Sequence, residues 1–138
     1  MTAQPADWKT ILGERARTGL PGLLGIEVAE VGSAFTVLRL TILPHHVAPN
    51  GYLHAGTVVA LADTSCGFGC MSNLPAGAQN FTTVELKTNF LRTTTQGVIR
   101  SEARLVHGGR RTQVWDATVV CDDGQTLALF RCTQMILY

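Results

Sequence analysis

The fifteen residues from Gly56 to Cys70 constrain the fold of this chain more than any others, being apolar or glycine throughout except at Thr57, Asp63, Thr64 and Ser65. Their composition predicts a long helix, over about 56–73, that other structure wraps on most sides. Asp63 falls two turns inside that helix, too deep to cap its N-terminus or to gain much from the terminal dipole. A carboxylate in such surroundings is costly unless it is hydrogen-bonded, paired or kept for chemistry. A polar residue bonded to a neighbouring loop is the plain alternative. The apolar setting points instead to chemistry.

What can wrap such a helix is written on either side of it. Residues Gln4 to Arg17 place Trp8, Ile11 and Leu12 among charges at helical spacing, which predicts a short amphipathic helix ending near Gly19 and Pro21. Two β-branched runs, Ile26 to Val31 and Phe35 to Leu43, flank Gly32-Ser33 and predict a hairpin. Residues Phe81 to Leu91 alternate, with Val84, Leu86, Thr88 and Phe90 on one side and Thr83, Glu85, Lys87 and Asn89 on the other, as expected of a half-buried strand. Three more strands follow, Gly97 to His107, Thr112 to Cys121 and Thr126 to Tyr138. The short turns at Gly108-Gly109 and Asp122-Asp123-Gly124 predict an antiparallel meander. Without βαβ alternation the class is α+β, an antiparallel sheet around one helix.

The 138 residues suit a single domain over 1–138, large enough to fold without metal or disulfide support. Eleven basic residues against ten acidic ones give no broad basic face, which argues against nucleic acid and anionic membrane as partners. Cys66, Cys70, Cys121 and Cys132 form no C-x-x-C pair and read as reduced, largely buried thiols rather than a zinc site. With neither a secretory pattern at the start nor a spanning apolar run, a cytoplasmic protein is the expectation.

The segment Gly51-Tyr52-Leu53-His54-Ala55-Gly56, followed after six residues by Asp63, resembles the motif of the hotdog-fold acyl-CoA thioesterases, in the subgroup of phenylacetate-degradation and 4-hydroxybenzoyl-CoA thioesterases. The run Thr82 to Arg92 resembles that subgroup's strand after the helix, and Gly108-Gly109-Arg110-Arg111-Thr112 its later hairpin. The resemblance runs from about Gly22 onward. It implies an antiparallel sheet wrapped around the helix, a homodimer or dimer of dimers with active sites at the subunit interface, and acyl-CoA as substrate, with no cofactor or metal.

Thioester hydrolysis needs a nucleophile or a base for water, and donors for the oxyanion formed on the carbonyl. Asp63 can serve the first need. Backbone N–H groups at the helix start can serve the second, and the resemblance assigns that donor to Ala55, with Gly56 allowing close approach. Relatives place a carboxamide six residues ahead of the histidine, where this chain has Ala48; Asn50, four ahead, is the candidate here, although Pro49-Asn50-Gly51 is equally an ordinary turn. The resemblance gives His54 a structural role at the helix start and gives Thr83 a hydroxyl that orients the attacking water. His45 and His46 read as solvated loop residues. For the CoA phosphates the candidates are Arg110 and Arg111, then Arg92 and His107. The far wall of an acyl pocket is expected at Cys66, Gly67, Phe68 and Cys70, with Gly67 and Gly69 leaving room for an aryl or medium-chain acyl group. Two other functions keep the fold: an acyl-CoA-binding regulator without turnover, and an enoyl-CoA hydratase or dehydratase using His54.

Overall fold

The computed structural model describes residues 6–138. Helix α1 spans Trp8–Arg15 and is capped by Asp7, whose carboxylate accepts the Thr10 N–H; Gln4, the expected start, lies outside the described residues. Leu12 is fully buried, and α1 packs against the first strand. The chain does not run irregularly past Gly19 and Pro21 but forms a second helix, α2, over Gly19–Leu24. Pro21 is tolerated because it sits in the first turn, where a backbone N–H has no helical partner to lose. Gly25, in the left-handed region at φ +78°, ends α2.

Strands β1 (Glu27–Gly32) and β2 (Phe35–Thr41) form the expected hairpin, but the turn residues are Ser33 and Ala34, with Ala34 at φ +62° and Gly32 closing β1. Helix α3 runs Ala55–Ser72, followed by β3 (Asn80–Phe90), β4 (Val98–Gly108), β5 (Thr112–Cys121) and β6 (Thr126–Leu137). All pairings are antiparallel and the strand order is β1-β2-β4-β5-β6-β3. The sheet wraps α3, as the hotdog resemblance implies. Leu38, Leu40, Ile99, Ala103, Trp115, Ala117, Val119, Phe130 and Cys132 face the helix and, with Leu61, Ala62, Cys66 and Cys70, make the core.

Two features of this core were read differently from the sequence. Gly67 and Gly69 do not open a pocket within the chain. A Cβ at Gly69 would lie 2.5 Å from the Trp115 indole and one at Gly67 3.1 Å from the Phe81 ring, so aromatic side chains already take that space. Phe68 is likewise buried in the core. Because Trp115 is 0% exposed it cannot swing away, and Gly69→Ala is expected to destabilise the fold by about 2 kcal/mol through overpacking, measured as a lowered denaturant midpoint.

The second difference concerns β3. It is the last strand of the sheet, and Val84, Leu86 and Phe90 remain 50%, 42% and 48% exposed, so in the single chain the strand is not half-buried. A β-bulge between Thr83 and Glu85 places two residues opposite one of β6. The extra residue, Val84, breaks the alternation and carries Thr83 to the face turned toward α3, the face of Leu86 and Thr88 rather than that of Glu85 and Lys87. No described helix is long and apolar enough to cross a membrane.

Candidate active site

The start of α3 is built by two histidines with different tasks. His54 is the N-cap, and its Nδ1 accepts the Gly56 N–H at 2.7 Å, which places the ring proton of a neutral imidazole on Nε2. A Cβ at residue 56 would lie 2.9 Å from that Nδ1, so Gly56 is what lets the imidazole close over the helix end. With the Gly56 N–H taken by His54 and the Thr57 N–H by the His54 carbonyl, the Ala55 N–H has no acceptor among the described residues. It is exposed at the positive end of an eighteen-residue helix.

His46 is no solvated loop residue. It is 1% exposed, its Nδ1 accepts the Leu43 N–H at 2.9 Å, and its Nε2–H donates to the Leu24 carbonyl at 2.7 Å. Its own carbonyl receives the His54 N–H and the Thr57 hydroxyl, so one imidazole ties α2, the loop and the start of α3 together. The sequence signal was Pro44, two residues earlier, which favours the tight turn formed over Pro44–His46. Burial, ahead of the neighbouring His45, holds the His46 pKa below the ordinary histidine value. Its neutral form is therefore favoured by folding. This part of the stability is complete above about pH 6.5 and is lost as pH falls through the lower folded-state value. Thermal melts from pH 7.5 to 5 should show that loss, and His46→Gln should flatten it.

Asn50 sits in an exposed turn beside Gly51 at φ +91°, and its Oδ1 accepts the Tyr52 N–H at 3.2 Å. This is the ordinary Asx-turn role; the Nδ2 amide remains for a ligand.

Asp63 lies on a stripe of α3, with Gly56, Val59, Ala60 and Thr64, that the sheet does not fully cover because the sheet ends at β3. The Thr83 hydroxyl is 3.1 Å from Asp63 Oδ1 and 2.9 Å from Gln134 Oε1 of β6. Burial raises the Asp63 pKa above the usual carboxylate value, and the Thr83 hydrogen bond opposes that rise. Such a carboxylate is a stronger base than a solvated one. Its neighbours on the same half-buried stripe of α3, Val59 and Ala60, are apolar. Sequence reasoning missed Gln134, because alternation on β3 groups Thr83 with Glu85 and Lys87 and does not show the bulge that pairs it with Gln134.

Asp63 stands eight residues beyond Ala55, about 12 Å along the helix axis at a rise of about 1.5 Å per residue. A thioester carbonyl oxygen and the atom attacking its carbon must be held about 3 Å apart. On the backbone of one chain, the Ala55 amide and Asp63 are thus set well apart along α3.

Arg110 and Arg111 lie at the β4–β5 turn, where they line an open cavity of about 760 Å³ with Thr112, Met135, Ile136 and Tyr138. The Arg110 guanidinium lies 5.8 Å from the centre of the Tyr138 ring, whose hydroxyl donates to the Arg110 carbonyl at 2.7 Å. Arg92 does not join them. It donates to Gln125 at 3.2 Å at the other end of β6, ten residues or about 33 Å from Arg110 and Arg111 within one chain. His107 is exposed on β4 near the Arg110 turn. Among the described residues no group of three or more His, Cys, Asp or Glu is placed to hold a metal ion.

Residues 50–128 match the sequence profile of the thioesterase superfamily. Among curated proteins, the 1,4-dihydroxy-2-naphthoyl-CoA hydrolase of Listeria monocytogenes is 30% identical over 115 residues, covering 83% of this chain and 93% of the relative. The acyl-coenzyme A thioesterase PaaI of Escherichia coli is 29% identical over 109 residues, covering 78% and 75%. Among solved structures, a mutant thioesterase from Pseudomonas aeruginosa superposes with a TM-score of 0.89 at 26% identity, over 97% of this chain and 96% of that one.

Proposed function

This chain belongs to the thioesterase superfamily, and from that premise we propose that it hydrolyses an acyl-CoA thioester to the free acid and CoA, with Asp63 as the catalytic carboxylate. The observation that carries the proposal is a carboxylate raised by burial, hydrogen-bonded by Thr83, on the uncovered stripe of an otherwise enclosed helix. On the general-base route Asp63 takes a proton from water as the water oxygen bonds to the carbonyl carbon. The C–S bond then breaks and the departing thiolate takes that proton. On the nucleophilic route the carboxylate itself bonds to the carbonyl carbon, the C–S bond breaks to release the CoA thiolate, and water hydrolyses the resulting mixed anhydride to the free acid and the regenerated Asp63 carboxylate. Either way the charge developing on the carbonyl oxygen needs a donor, and the free Ala55 N–H at the helix start supplies one. Asn50 Nδ2, in the exposed turn before α3, is the proposed second polar contact.

The 12 Å between Ala55 and Asp63 supports an active site shared by two copies, Asp63 from one and the Ala55 amide from the other. The exposed apolar edge β3, with Val84, Leu86 and Phe90, supports a dimer joined at that edge. Arg110 and Arg111 are the proposed contacts for the CoA phosphates, and Tyr138 offers a ring beside Arg110. Aryl and medium-chain acyl groups suit the apolar Val59 and Ala60 on the half-buried stripe of α3 that carries Asp63. A hydratase would need His54 and a carboxylate on one thioester. His54 already caps the helix through Nδ1 and lies nine residues from Asp63, which favours hydrolysis.

The test is thiol release from a panel of aryl-, short-, medium- and long-chain acyl-CoAs. Release with an aryl or medium-chain preference is the expected result. Saturable binding of the same compounds without release would move the protein to an acyl-CoA-binding role, and water addition to an enoyl-CoA, lost in His54→Ala, would make it a hydratase.

A further inference from the structure

Thr83 has one hydroxyl proton and two oxygen neighbours, Asp63 Oδ1 at 3.1 Å and Gln134 Oε1 at 2.9 Å. Given to Gln134, the proton leaves an ionised Asp63 without its donor. Given to Asp63, it leaves the Gln134 oxygen facing a Thr83 lone pair at hydrogen-bond distance. Turning the carboxamide by a half-rotation removes the conflict, since its oxygen and nitrogen exchange places with no change of shape. Nε2–H then donates to Thr83 Oγ1, and Thr83 donates to Asp63. The carboxamide oxygen takes the position 3.4 Å from Cys132 Sγ, where it can accept the thiol proton. The Cys132 thiol proton, one Gln134 N–H and the Thr83 hydroxyl proton then each have an acceptor in a chain that ends at Asp63. Gln134 is 0% exposed, so it has no water to turn to, and the bulge at Val84 is what sets it beside Thr83 in register.

We infer that Gln134 is a positioning residue for the proposed hydrolysis, its buried carboxamide donating to Thr83 and so committing the Thr83 proton to the Asp63 carboxylate. This rests on the reading of Asp63 as the catalytic group. The other titratable groups facing this chain are the Cys66 thiol of α3, one turn beyond Asp63, and the Cys132 thiol of β6; burial pushes the first well above its ordinary value and keeps it neutral. Glu85 and Lys87 of β3 and Asp116 of β5 lie on the outer face of the sheet. The inward residues of β5 are Gln113, Trp115, Ala117 and Val119, none of them charged. Thr83 is thus the one side-chain donor to Asp63 among the described residues.

The experiment compares Gln134→Met, Gln134→Glu, Thr83→Val and the Met/Val double variant for kcat, KM and the pH at which kcat falls on the acid side, with thermal melting beside them. Gln134→Met should lower kcat by up to about tenfold, the upper worth of the neutral hydrogen bond to Thr83 that it removes, with KM changed less than about twofold and the acid limb moved to higher pH. Gln134→Glu, an acceptor that draws the Thr83 proton away, should move the limb further. The double variant should be no worse than Thr83→Val, because both act through the same proton. A Gln134→Met enzyme with wild-type kcat and acid limb, whatever its melting temperature, would overturn the inference, as would a double variant whose loss is the product of the two single losses. Asp63→Asn separates the two levels. If it stays active the catalytic reading itself fails; if it is inactive while Gln134 and Thr83 act independently, only the role of Gln134 fails.

Discussion

Asp63→Asn is expected to lower kcat for acyl-CoA hydrolysis by about a thousandfold or more while KM changes little, since the amide can neither attack the carbonyl nor take a proton from water. The same substitution should leave the protein at least as stable as the wild type at neutral pH. Asp63 has a folded-state pKa raised by burial, so ionising it opposes folding. That penalty is absent below the unfolded-state value, about pH 4, and fully present above the folded-state one. A melting temperature of Asp63→Asn above wild type at pH 7, with the gap closing toward pH 4, would show that Asp63 is held there at a stability cost. A variant with near-wild-type turnover would remove the carboxylate from the mechanism.

The second large effect is expected at a backbone atom. Ala55→Pro deletes the N–H assigned to the oxyanion and little else, because Ala55 is the first residue of α3, where proline is well accommodated. His54, before it, is already extended at φ −66° and ψ 133°, as a residue preceding proline must be. We expect kcat to fall about a hundredfold or more, the usual cost of one oxyanion donor, with far-ultraviolet circular dichroism and melting unchanged. Ala55→Gly keeps the N–H and should retain activity. Equal losses in the two variants would mean that the helix end, and not its amide, is what matters.

Most of the fold was legible because its strongest signals are local. The enclosed helix could be read from Gly56 to Cys70, the meander from two glycine-bearing turns, and the first hairpin from two β-branched runs. What escaped depended on contacts distant in sequence. Pro21 reads as a terminator, yet α2 forms because proline costs nothing in a first turn, and His46 reads as solvated until Leu24 and Leu43 enclose it. Strict alternation cannot reveal a bulge: it groups Thr83 with Glu85 and Lys87, only the resemblance brings Thr83 to the site, and nothing in the sequence pairs it with Gln134. The glycines of α3 looked like vacancies for a ligand, whereas Trp115 and Phe81 fill them from strands some 15 to 45 residues away. Asp63 was legible from its residue type alone. Its distance from Ala55 along the helix axis follows from spacing too, whereas the second copy was implied only by the family resemblance.

That shared site is the central claim, and one measurement reaches it directly. Asp63→Asn and Ala55→Pro chains carrying different tags would be co-expressed, the mixed dimers isolated by both tags, and thiol release from an aryl- or medium-chain acyl-CoA compared with that of each parent. In a mixed dimer one site combines both defects and the other receives an intact Asp63 and an intact Ala55 amide. Two inactive parents should therefore yield a dimer with about half of the wild-type activity, as expected when one of two symmetric sites is restored. A mixed dimer no more active than its parents would contradict a site built from Asp63 of one copy and the Ala55 N–H of the other.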